Sequence, residues 1–158
     1  MDSSERYGLK GDFDMENATM GRVVVSAKIE NLVDYLEVMQ GKKKPEEIRT
    51  LAMDDALVDT GATTLSMPKR LITQLGLLPL RARPSRTAAG SRMVQVYAAV
   101  RLTVQGRECT CDVVEVADDC PVLIGQVPLE LLDFVVSPQS QLLIPNPLHG
   151  NEQTVELY

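Results

Sequence analysis

A chain of 158 residues is long enough for one domain with a sizeable core and a short extension besides. Its apolar share of 44% is ordinary and rests on Val, Leu and Ala, with no Trp and two Phe, a balance that leans toward strands. The net charge of -6 argues against nucleic acid as a partner, since phosphate binding wants a basic face, and no apolar run approaches membrane-spanning length.

Residues 1–20 are polar and lack periodicity, so they read as a flexible N-terminal tail, leaving 21–158 as the domain. Asp2, Glu5, Arg6, Lys10, Asp12, Asp14 and Glu16 break any secretory leader, and the chain is expected to be soluble and cytoplasmic. Val23, Val24 and Val25 open a strand that runs on through Ala27 and Ile29. Residues 31–37 continue either as a second strand or as a turn. Gly41-Lys42-Lys43-Lys44-Pro45 is a charged turn, expected at a solvated hairpin tip, with residues 48–53 as the returning strand. Ala56-Leu57-Val58 is a short apolar run of the kind buried on both faces. Ser66 is placed as a helix N-cap with Pro68 in the first turn, where its missing N–H costs little. Leu71, Ile72 and Leu75 give that helix its apolar stripe, and Gly76 stops it.

Residues 81–92 read as a loop, with Arg81, Arg83, Arg86 and Arg92 as a solvated rim. Val94, Val96, Ala98, Val100, Leu102 and Val104 then alternate at period two, the clearest strand signature in the chain. Gln105-Gly106 supplies a turn, and Cys109, Cys111 and Val113 take up the alternation on a second strand that ends at Asp118-Asp119. Pro121-Val122-Leu123-Ile124-Gly125 is another short apolar run, and Leu129, Leu131, Leu132 and Phe134 point to a compact helix. Leu142-Leu143-Ile144 is again strand-like. Cys109, Cys111 and Cys120 form no disulfide framework, and with His149 as the one histidine no familiar zinc-ligand spacing exists; reduced cytosolic thiols and no metal are expected. Asp54 and Asp55 are expected in solvent, Asp133 in a structural salt bridge or cap, and His149 in an exposed loop.

Chemistry concentrates at Asp59-Thr60-Gly61-Ala62, which follows Leu57-Val58 and occurs once. A glycine at position 61 lets the backbone turn tightly and bring an N–H close to the carboxylate. The Thr60 hydroxyl can lock two such loops together, Ala62 keeps the volume small, and Thr63 is a candidate donor to the outer carboxylate oxygen. The competing reading of Asp59 is a turn-capping aspartate at a strand end. Three chosen letters arise by chance in roughly one chain of this length in fifty, so the motif needs its surroundings to carry weight.

Those surroundings supply it. Leu57-Val58 before the turn, a Pro-containing helix at Met67-Pro68-Lys69-Arg70-Leu71, and Leu123-Ile124-Gly125 before a second helix resemble the retropepsin family, the retroviral-type aspartic proteases, in its bacterial and cellular versions. The resemblance implies a mainly β fold, a closed β-barrel forming half of an acid protease, with one or two short helices. It implies a homodimer in which two Asp59 carboxyls act as base and acid, with Thr60 as the clamp between subunits and Gly61 as the turn. Ala88, Ala89 and Gly90 would then lie at the tip of a flap that closes over a peptide or protein substrate, with Ala62 and Thr63 beside it. Leu123, Ile124 and Gly125 would support the active-site loop from beneath, and the strand 142–144 would form dimer interface. No cofactor and no metal are implied. Ala62 lacks the hydroxyl that pepsin-like relatives place there, which implies a rate optimum nearer neutrality. The alternative is a non-catalytic retropepsin-like module for dimerisation or peptide binding.

Overall fold

The computed structural model describes residues 22–157, so the expected tail at 1–20 lies outside the described residues. Strand β1 (Val23–Asn31) buries Val23, Val25, Ala27 and Ile29 and exposes the residues between them, as period two requires. It pairs antiparallel with β2 (Thr50–Val58), with one extra residue accommodated on β2 opposite Ser26. Short β3 (Leu65–Pro68) is wholly buried and leads into helix α2 (Lys69–Leu75), which follows helix α1 (Leu32–Met39) in the chain. The long hairpin β4 (Pro79–Thr87) and β5 (Gly90–Val104) comes next, then β6 (Arg107–Val116), β7 (Leu123–Ile124) and helix α3 (Gln126–Leu132). Strands β8 (Phe134–Val136) and β9 (Leu143–Pro145) form a separate two-stranded sheet.

The main sheet runs in the order β1-β2-β7-β3-β6-β5-β4, and β1 also pairs with β5. That additional pairing, Lys28 to Asn31 against Thr103 to Val100, closes six strands into a ring and leaves β4 outside it. The fold is therefore mainly β, as expected. Val100, Leu102, Val104, Val113, Leu65 and Ile124 fill its interior with Ile72 and Leu75 from α2 and Leu129 and Leu132 from α3. The alternation expected along β5 holds at Val100, Leu102 and Val104 but slips at a bulge between Tyr97 and Val100, which buries Tyr97 and leaves Ala98 half-buried. Tyr97 donates to Glu115 at 2.6 Å, and burial followed by that carboxylate pushes its phenol up to about 12.

Several local expectations are overturned. Asn31 ends β1, and residues 32–37 form neither a second strand nor a turn. They start helix α1, because the Asn31 side chain caps the Asp34 N–H at 3.0 Å and its amide donates to Leu75 O at 2.8 Å. The Lys42-Lys43-Lys44 turn is not a hairpin tip, and Lys43 is not free in solvent: it reaches Asp34 at 2.7 Å and Glu37 at 3.1 Å. Ser66 is a buried strand residue rather than a helix cap, and Pro68 itself occupies the cap position. The segment 81–92 is the body of the β4–β5 hairpin, since cross-strand pairing of Arg81 to Thr87 with Val96 to Gly90 overrides its weak strand propensity. Phe134 begins β8, because Asp133 ends α3 in a left-handed conformation at φ 60°. His149 is mostly buried and bonds Asp133 at 2.7 Å and Glu156 at 3.0 Å.

Two buried carboxylates organise the ends of the molecule. Asp34 has no exposed side-chain surface, and Arg49 grips it with Nε at 2.8 Å, Nη2 at 2.9 Å and its backbone N–H at 3.0 Å. The Arg49 bond outweighs the cost of burial, and with Lys43 it holds the Asp34 carboxyl far below the usual carboxylate range. Asp133 is buried too; burial pushes its carboxyl up, but bonds from His149, the Thr154 N–H and Asn146 prevail and lower it.

Replacing Asp34 with Asn should destabilise the protein by about 2–3 kcal/mol at neutral pH, because Arg49 and Lys43 lose their shared counter-charge. The native contribution is present above the unfolded carboxylate value of about 3.9 and disappears as pH falls through the lower folded value, so the variant should show a flatter acid limb in urea denaturation. His149 is raised by Glu156 first and then Asp133. Its contribution is full below about pH 6.5 and is lost as pH rises through the folded value, so His149→Gln should remove the part of the fall in Tm that sets in as pH rises above about 6.5.

Candidate active site

The Asp59 turn grows out of the junction between β2 and β7. These strands run parallel, with Leu57 beside Leu123 and Val58 beside Ile124. Leu57 N–H donates to Val122 O at 2.9 Å and Asp59 N–H to Ile124 O at 2.9 Å, so the ladder carries the chain one residue past the end of β2. The chain then reverses: Ala62 N–H bonds Asp59 O at 3.0 Å, and Gly61 N–H bonds Asp59 Oδ1 at 2.9 Å. A Cβ on Gly61 would stand 3.2 Å from that carboxylate oxygen, which is the close approach expected of this glycine. Within the chain the Gly61 N–H, rather than the Thr63 hydroxyl, is the donor to the Asp59 carboxylate.

Beyond the turn, the loop is bonded to the start of α3. A helix leaves its first N–H groups without intrahelical partners. Here Gln126 N–H donates to Ala62 O at 2.8 Å and Val127 N–H to Thr63 O at 2.8 Å. Pro128 has no N–H to satisfy, and Leu129 N–H begins the helical pattern on Gly125 O at 3.2 Å. Gly125 N–H adds a bond to Thr64 O at 3.1 Å. This approach leaves no room for a side chain: a Cβ on Gly125 would lie 2.5 Å from Thr64 O and 2.6 Å from Ala62 O, both backbone atoms. Leu65 and Ser66 pair with Ile124 and Leu123, so β7 is held from both sides.

The result is an exposed Asp59 on a turn tied down by backbone bonds. Asp59 and Thr60 lie at a cleft of about 670 Å³ whose other lining includes Val23, Leu57, Val58, Leu123 and Val136. Arg22, Pro138 and Gln141 complete it. Asp59, Thr60 and Leu123 thus meet at one cleft, while Gly61, Ala62, Thr63 and Gly125 build the junction beneath and Ile124 is fully buried. No periodicity or motif in the sequence marks Val136, Pro138 and Gln141, which follow α3. Ala88 and Ala89 form the two-residue end of the β4–β5 hairpin, closed by Gly90 at φ 123°, a conformation that disfavours other residues. That tip does not contribute to the lining of the cleft in the single chain.

The remaining candidates lie away from the cleft. Asp54 and Asp55 are exposed on β2, as expected. The cysteines are free, and the hydrogen bond with Cys109 and then burial push the Cys111 thiol far up. Among the described residues no group of three or more His, Cys, Asp or Glu could hold a metal ion.

Residues 53–131, half of the chain, match the family described as "gag-polyprotein putative aspartyl protease". The chain belongs to this gag-polyprotein aspartyl protease family. The matched span runs from β2 through the Asp59 turn, the hairpin and β7 into α3. Among solved structures, the solution structure of the Simian Foamy Virus (mac) protease is similar at 20% identity, over 69% of this chain and 93% of that one, with a TM-score of 0.43. No curated protein matches the sequence.

Gly125→Ala should cost about 2–4 kcal/mol, because two backbone carbonyls must move to admit one methyl group. Urea denaturation measures the loss, and the Gly61 amide resonance should shift with it, since the same displacement loosens the Asp59 turn.

Proposed function

We propose that the protein is an aspartic endopeptidase that works as a homodimer, with one Asp59 from each subunit. The observation that carries this reading is an exposed carboxylate, fixed by the Gly61 N–H, at the wall of a largely aliphatic cleft. The cleft volume falls within the range of about 300–1,000 Å³ usual for ligand sites.

Peptide hydrolysis by water needs a base and an acid at the same moment. Two carboxyls in contact provide both, because like charges that close cannot both ionise and the pair retains one proton. The ionised member takes a proton from water as the water oxygen bonds to the peptide carbonyl carbon. The protonated member gives its proton to the carbonyl oxygen. The carboxyl that took the water proton then gives it to the amide nitrogen, the C–N bond breaks, and the other carboxylate takes a proton from a hydroxyl of the tetrahedral diol, which leaves the new carboxylic acid and restores the shared proton. One chain has a single Asp-Thr-Gly turn, so a second copy has to complete the dyad.

Two features support such a pairing. The β8–β9 sheet stands apart from the ring, carries half-buried Val135, Val136 and Ile144, and continues from Leu142, which is 60% exposed. Thr60 is exposed beside Asp59, where its hydroxyl can bridge to a partner loop. The aliphatic lining favours apolar residues around the scissile bond of an extended peptide or protein substrate. The Pro68 start of α2 and the three free cysteines fit a cellular or bacterial enzyme working in the cytoplasm.

The test is cleavage of a peptide library by the purified protein and by Asp59→Asn, with sedimentation run over the same protein concentrations. The variant should lose at least about 10²–10⁴ in rate, and native specific activity should rise as dimer forms. Equal cleavage by both proteins would remove Asp59 as the catalyst. No cleavage by either, with a peptide-like aspartic inhibitor still bound between subunits, would assign the fold to peptide capture alone.

A further inference from the structure

Strand β2 is paired along its length on one side only. Toward β1 its register extends from Val58 to Thr50, interrupted by a bulge at Asp54 and Asp55, but toward β7 it holds only at Leu57 and Val58. Upstream of Val122 the neighbouring segment turns away, and Cys120 N–H folds back onto Ala117 O at 3.0 Å. Among the described residues, 50–55 therefore have no strand on this side.

Between that edge and the start of α2 lies a cavity of about 240 Å³. Leu51, Met53, Leu71 and Val122 line it, together with the charged Asp55 and Arg70. Its volume is below that of most small-molecule sites, which begin near 300 Å³, and it is open to one aliphatic side chain. A sheet edge with a side-chain pocket beside it is the arrangement by which an extended peptide binds as an added strand.

Charge narrows the occupant. Asp54 and Asp55 are exposed on the edge, and Asp118 and Asp119 are exposed nearby, where Asp118 accepts the Arg70 N–H at 3.3 Å. Arg70 is the one cation lining the cavity. Two such acidic edges repel one another, which works against pairing with a second copy. A segment bearing Lys or Arg is complementary.

We propose that this edge docks an extended segment of a partner protein, placing one aliphatic side chain in the cavity and basic side chains against Asp54, Asp55, Asp118 and Asp119. The site shares no lining residue with the Asp59 cleft, so it stands whether or not the protein cleaves peptides.

The probe is a fluorescein-labelled peptide, Lys-Arg-Thr-Leu-Thr-Arg-Lys, titrated by anisotropy and mapped by amide chemical shifts on the full chain. Controls are the peptide with Asp and Glu in place of the basic residues, and the peptide with Gly in place of Leu. Binding below about 1 mM should shift amides at 50–55, Leu71 and Val122, and both control peptides should bind at least about fivefold more weakly. The double variant Asp54→Lys, Asp55→Lys and the cavity-filling Cys120→Phe should each weaken binding to a similar degree while keeping the native Tm. Shifts confined to the Asp59 cleft, equal binding of the control peptides, or no binding at about 1 mM would each overturn the proposal.

Discussion

The close approach of the Asp59 loop to the start of helix α3 is the constraint on which the rest of the site depends. Three backbone carbonyls, at Ala62, Thr63 and Thr64, take the N–H groups of Gln126, Val127 and Gly125. Each partner solves the other's problem. The loop lacks a ladder for its carbonyls, and the helix start lacks acceptors for its donors. Gly125 permits the contact because it presents no Cβ, and Pro128 removes the donor that would otherwise be left over.

That junction explains why a short strand such as β7 matters. With two residues it is among the shortest in the fold, yet it pairs with β2 on one side and β3 on the other. Asp59 extends the first pairing and the loop returns through the second, so its position is set by three strands and a helix. The closed ring behind it, sealed by β1 against β5, supplies an apolar interior of Val, Leu and Ile against which β7 is packed. Away from the site, Asp34 and Asp133 tie irregular segments to that ring, each with several donors on a buried carboxylate.

On the proposed reading, rigidity of this kind has a chemical purpose. A dyad assembled from two chains can share a proton only if each carboxyl arrives in a defined orientation, and a loop held by backbone bonds delivers it with little reorganisation on association. The hairpin tip is built differently. It ends on the small residues Ala88, Ala89 and Gly90 at a two-residue turn, which on that reading suits a segment that closes over a substrate.

Much of this was legible from residue order alone. The Leu57-Val58-Asp59 strand end, the Gly61 turn and the alternation through Val100, Leu102 and Val104 depend on local geometry, which residue type specifies directly, whereas the approach of Gly125 to Ala62 and Thr64 was implied only by the family resemblance. What only the folded chain decided were features whose cause lies far away in sequence. Helix α1 forms because Asn31 bonds Leu75 and Asp34 bonds Arg49. The hairpin arms form because Arg81 to Thr87 find partners in β5, and His149 is drawn inward by Asp133. Val136, Pro138 and Gln141 reach the cleft by the same route, through a chain reversal after α3 that leaves no periodic trace. Short-range sterics and hydrogen bonding write themselves into neighbouring letters; pairings that only the folded chain brings together do not.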